Sequence, residues 1–104
     1  MELMPVEIAA DMPAPYMTEH EADPLCRVKF FTPDGAWTWF GIEYDPAQHL
    51  FFGYVVGMDS ELGYFSLDEL EAARGPLGLP VERDLYFKPT RLSEVRRVAE
   101  GDAR

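Results

Sequence analysis

With 104 residues, 47% of them apolar, and a formal charge of −10 at neutral pH, the chain is sized for one domain with a modest core and is charged against bare nucleic acid. Its longest apolar stretch, Leu50–Val56, is far below the roughly 20 residues that cross a bilayer. The opening Met-Glu-Leu-Met-Pro has no lysine or arginine and no apolar run of signal length, so a cytoplasmic protein without a membrane partner is expected, monomeric because like charges repel.

One cysteine, Cys26, excludes an internal disulfide, so packing alone must stabilise the fold, and a 13% aromatic content supplies the buried area for it. The charge is unevenly spread. Residues 1–73 hold 14 acids and only two bases, Arg27 and Lys29, whereas residues 74–104 hold seven bases and five acids. An acidic side suited to a basic partner is expected. No repeat, low-complexity tract or Gly/Ser linker divides the chain, and residues 1–104 read as a single domain.

Pro5 suits a first helical turn and Pro13 and Pro15 end the segment, which places a short helix over residues 5–12. A polar, acidic loop follows to Pro24, so residues 1–23 form an N-terminal helix and loop. Residues 27–31 alternate as a strand, and Thr32-Pro-Asp-Gly35 is a turn signal before the next one. Residues 36–45 are rich in aromatic and β-branched types and form that strand, with Trp37 and Trp39 on one face and Thr38 and Phe40 on the other. A turn over residues 45–49 leads to a third strand over 50–57, and Asp59-Ser60 turns into a fourth over 61–65.

At Ser66 the period changes. Ser66-Leu-Asp-Glu69 matches a capping box, and Leu67, Leu70 and Ala73 recur at helical spacing up to Arg74. Residues 75–80 contain two glycines and two prolines and are read as irregular, and residues 81–87 supply a last strand. Thr90 is placed to cap a terminal helix lined by Leu92, Val95, Val98 and Ala99, with residues 100–104 frayed. The predicted fold is α+β: a curved antiparallel meander of four to five strands with short helices packed on one face.

Catalytic constellations are sparse. Cys26 has no local signature of a nucleophile, and His20, Asp23 and Cys26 offer three potential metal ligands in a loop where a tight site wants four. His49 sits beside a turn and reads as solvated rather than as a base. Glu43 and Asp45 project from one face of a strand and can act as acid and base or hold a cation, but carboxylates at a strand end more often mark a solvated face. In Glu82-Arg83-Asp84 the arginine points opposite to its neighbours, and local or cross-strand ion pairing accounts for the triplet. Residues 75–78 are no phosphate loop, since proline interrupts them and no lysine follows. No cofactor, no metal and no enzymatic activity are expected. The thirteen rings from Phe30 to Phe87 exceed what one core holds, so some must face outward, where a residual aromatic patch with acidic rims is an interaction surface.

Five segments together carry a resemblance: Lys29-Phe-Phe-Thr-Pro33, Trp37-Thr-Trp39, Phe51-Phe-Gly53, Glu61-Leu-Gly-Tyr-Phe-Ser-Leu67 with Glu69-Leu70, and Gly78-Leu-Pro-Val-Glu-Arg-Asp84. Over roughly residues 24–95 the chain resembles a bacterial domain-of-unknown-function family found on plasmids and other mobile elements. The acidic, proline-rich segment up to Asp23 departs from that family's more basic start. The family has no agreed catalytic residues. It includes an anti-CRISPR protein that inhibits the RNA-guided nuclease of type II systems, so the resemblance implies a non-enzymatic inhibitor of such a CRISPR effector. An RNA-guided nuclease is built to receive phosphates, and carboxylates on rigid strands can occupy the same surfaces. Glu43, Asp45, Asp59 and Glu61, with Asp68, Glu69 and Glu71, are the candidate partner-binding residues. The alternatives are a plasmid or phage accessory module with another partner, and a small metal-dependent hydrolase.

Overall fold

In the computed structural model, which describes residues 1–101, the chain runs through α1 (Val6–Ala10), β1 (Leu25–Cys26), β2 (Val28–Phe31), β3 (Thr38–Asp45), β4 (Leu50–Val56) and β5 (Ser60–Ser66). It continues through α2 (Leu67–Ala72), β6 (Glu82–Arg83), β7 (Thr90–Arg91), α3 (Leu92–Arg96) and a π-helical turn (Arg97–Gly101). The expected frayed tail lies, from residue 102 on, outside the described residues. Five strands form one antiparallel sheet in the order β5-β4-β3-β2-β6, and β1 pairs with β7 in a separate ribbon. The α+β class and the meander from β2 to β5 are as the sequence indicates.

Local chemistry explains the boundaries. At the β2–β3 turn the Thr32 hydroxyl accepts from Trp37 N at 3.1 Å, and Gly35 N closes on Thr32 O at 3.2 Å. At α2 the Ser66 hydroxyl accepts from Glu69 N at 3.2 Å, as the capping box requires. The last strand is shorter than residues 81–87. After Arg83 the Asp84 carboxylate accepts from Tyr86 N at 2.9 Å, an Asx turn that bends the chain off the sheet. Thr90 does not cap α3 but pairs in β7, its hydroxyl donating to Lys88 O at 2.7 Å. The cap comes from Asp23, whose carboxylate accepts from Ser93 N at 2.8 Å and from the Ser93 hydroxyl at 2.7 Å.

The register puts Val28, Phe30, Tyr44, Phe51 and Phe65 on one face of the sheet, against Leu3, Met4, Met12, Leu67 and Leu70. Phe40, Ile42 and Tyr54 bury the other face against Cys26, Leu92 and Val95. The helices are thus divided between both faces, α1 and α2 on one and α3 on the other, where a single covered face was expected. Two covered faces explain how the chain buries rings on both sides of the sheet.

One irregularity sets the rest. Gly41 pairs with Gly53 and Glu43 with Phe52, so Ile42 is an extra residue, a β-bulge in β3. The bulge turns Glu43 toward the α3 face beside Ile42, and brings Tyr44 back to the opposite face against Phe51, 4.5 Å between ring centroids.

Candidate functional site: an acidic edge beside an aromatic groove

The seven carboxylates expected at a partner surface separate into three environments. Glu43 is only 6% exposed. Its carboxylate accepts from Tyr16 N at 2.9 Å, Thr18 N at 3.0 Å and the Thr18 hydroxyl at 2.5 Å. It therefore anchors the acidic loop to the sheet and presents nothing to a partner, which corrects its expected role. Asp45, on the same face, accepts from Ala47 N at 2.9 Å and holds the β3–β4 turn.

At that end of the sheet the Tyr44 hydroxyl is pushed above its usual value, first by burial and then by the charges of Asp68 and Glu71 of α2 and of Asp45. His49 Nδ1 lies 2.9 Å from the Asp68 carboxylate. Asp59 and Glu61 stand at the other end of β5, roughly 17 Å away at about 3.4 Å per strand residue. Asp59, Glu61, Glu69 and Glu71 are exposed, and among the described residues their carboxylates have no cationic partner. The bases of the last third are more engaged: Arg97 pairs with Glu94 at 2.6 Å and Arg96 with Glu100 at 3.8 Å. Unanswered acidity lies on β5, a sheet edge, and on α2 beside it, and also on the exposed Glu2, Glu7, Asp11, Glu21 and Glu82.

The register also builds a surface of aromatic and acidic side chains. Gly41, Gly53 and Gly63 stand opposite one another across β3, β4 and β5, and Trp39, Val55 and Glu61 form the adjacent row. Gly41 and Gly53 are buried, but Gly63 on the edge strand opens an outward groove of about 460 Å³ against Trp37, Trp39 and Val55, and Asp59 and Glu61 line it too. Trp37 stacks on Trp39 at 6.0 Å between centroids and 25° between planes, and it remains 44% exposed. Gly57 lies directly against the Trp37 ring, which leaves no room there for a Cβ.

The residues considered for catalysis are scattered. Asp23 is bound to Ser93, whose hydroxyl and N–H hold its carboxyl below the ordinary value. Cys26 is fully buried, and burial followed by the Asp23 charge pushes its thiol up to about 12. His20 is exposed beside Glu19 at 4.0 Å. Among the described residues Arg83 forms no ion pair but donates to Glu2 O at 2.8 Å and Leu3 O at 2.7 Å, pinning the N-terminus, while Asp84 pairs across the strands with Lys29 at 3.6 Å.

The match to known proteins extends over almost all of this architecture. Residues 3–103 fit the family model described as Protein of unknown function (DUF2958). The chain belongs to this family. No curated protein matches it, and no solved structure does. The DUF2958 match takes in the N-terminal segment that the sequence resemblance set apart at Asp23, and packing shows why. Leu3, Met4 and Met12 are in the core, and the loop after them is tied to Glu43. In this DUF2958 chain no described helix is long and apolar enough to cross a membrane.

Proposed function

We propose that the chain is a non-enzymatic binding protein that docks on a basic nucleic-acid-binding protein through the edge formed by β5 and α2. The observation that carries this reading is the set of exposed carboxylates Asp59, Glu61, Glu69 and Glu71, which have no cation of their own among the described residues. Free charge of one sign on a rigid edge steers a partner of opposite charge and repels nucleic acid. The buried thiol and the dispersed histidines agree with a binding role.

The sequence resemblance makes the partner the RNA-guided DNA nuclease of a type II CRISPR system, whose phosphate-receiving surfaces the carboxylates occupy. The protein then acts as an anti-CRISPR inhibitor, as a cytoplasmic monomer carried by a phage or plasmid. The test mixes purified protein with guide-loaded nuclease and follows cleavage of target DNA. Cleavage should fall with increasing protein and recover as salt is raised, because exposed charges are screened beyond roughly 8–10 Å at physiological ionic strength. Undiminished cleavage at large excess removes this partner.

A further inference from the structure

We propose that the groove beside Trp37 and Trp39 is a receptor for an arginine side chain, offered by an extended segment of the partner protein. This rests on the reading above that the partner is basic, and it names the contact that would give the attraction a place and a geometry.

The chemistry of the lining selects the ligand. A stacked indole pair with an exposed face attracts a cation, and a planar guanidinium both stacks on such a ring and bonds a carboxylate through paired N–H groups. Trp37 and Trp39 supply the face, Val55 supplies an apolar wall for the methylene stem, and Asp59 and Glu61 supply acceptors in the same groove. The groove is held open by design of the backbone. Gly57 leaves room for the Trp37 ring, and a Cβ on Gly63 would meet nothing within 4 Å.

Other occupants fit less well. An apolar side chain would desolvate Asp59 and Glu61 with no bond in return. A stacked nucleobase would bring phosphate against the two carboxylates. A second copy of this chain would bring −10 against −10. A lysine satisfies the charge but not the planar stacking, so arginine should be preferred to lysine.

The chain has only two tryptophans, and both line this groove, so their fluorescence reports it without a label. The probe is a capped hexapeptide of alternating arginine and glycine, with lysine and citrulline versions as controls. Tryptophan emission should change saturably with the arginine peptide, less with lysine, and not with citrulline, which keeps the shape without the charge.

Gly63→Leu keeps the net charge and fills the groove from a position with no left-handed backbone, and it should weaken the arginine peptide about tenfold or more. Glu61→Gln should weaken it as well, and serves if the leucine variant folds poorly. Equal binding by Gly63→Leu and wild type overturns the inference, since diffuse acidity then explains the attraction. Equal response to citrulline, or emission that changes with protein concentration alone through self-association, also overturns it.

The nuclease assay separates the two readings. Inhibition that survives Gly63→Leu removes the groove and keeps the partner. Peptide binding without nuclease inhibition keeps the groove and removes that partner.

Discussion

Glu43 and Glu61 are two glutamates of one sheet, on β3 and β5, and their fates are opposite. Glu43 sits beside the Ile42 bulge, buried and bonded by three donors from residues 16–18. Glu61 stands on the regular edge strand β5, exposed and without a partner among the described residues. The glycines beside them divide in the same way. Gly53, opposite the bulge, lies so close to the Phe40 carbonyl that a Cβ would overlap it, whereas Gly63 faces open space. Identical residue types thus serve construction at one place and are free for recognition at another, and the backbone register decides which.

The largest expected effect tests the bulge itself. Gly53→Ala should lower stability by about 3 kcal/mol or more, because the obstructing atom is a backbone oxygen that cannot rotate away. Urea unfolding followed by circular dichroism measures it, and a near-neutral result would mean that the bulge opens easily. Glu43→Ala comes next, at about 2–4 kcal/mol, since it leaves the N–H groups of Tyr16 and Thr18 and the Thr18 hydroxyl without their acceptor. Limited proteolysis should then cut the loop over residues 13–24 ahead of the sheet.

These two positions also separate what neighbouring residues encode from what only the cross-strand register creates. The strands from Lys29 to Phe65 and the Ser66 capping box were legible, because alternation, turn residues and caps act over a few neighbours. The bulge was not, since strand alternation continues unbroken through Ile42-Glu43-Tyr44 and only the cross-strand register exposes the extra residue. For the same reason Glu43 and Asp45 read as a solvated pair, although a loop some 25 residues upstream covers one of them. The α3 cap was hidden by distance as well: Thr90 is the local candidate, and Asp23 does the work from a separation of 70 residues. Covering of both faces follows from where α3 docks, a tertiary fact with no local signal. The seven acids were individually visible, but their separation into an anchor, a turn cluster and a free edge was not.

A smaller effect concerns pH. Asp23 has its carboxyl held below the ordinary value by Ser93, and Glu94 by Arg97. A carboxyl with a depressed native pKa contributes stability that is present above its unfolded value, about pH 4, and is lost as pH falls through the native value. Acid should therefore loosen α3 first, read as faster hydrogen exchange at Leu92 and Val95 than in β3 and β4. Asp23→Asn should be looser at neutral pH and show a shallower acid dependence below pH 4. An unchanged slope would mean that Asp23 does not hold α3.

The smallest expected effect is the one that completes the contrast. Glu61→Ala should change stability by no more than about 0.5 kcal/mol, because it removes an exposed group with no partner. Gly63→Ala should be neutral or slightly stabilising, by about 0.5–1 kcal/mol, since alanine restricts the unfolded chain and its methyl enters open space. Unfolding curves of the two variants measured beside Gly53→Ala and Glu43→Ala would show the same substitutions diverging by several kcal/mol within one sheet. A large loss at Glu61 would mean that this carboxylate is structural after all, and the free acidity of the edge would shrink to Asp59 and the two glutamates of α2.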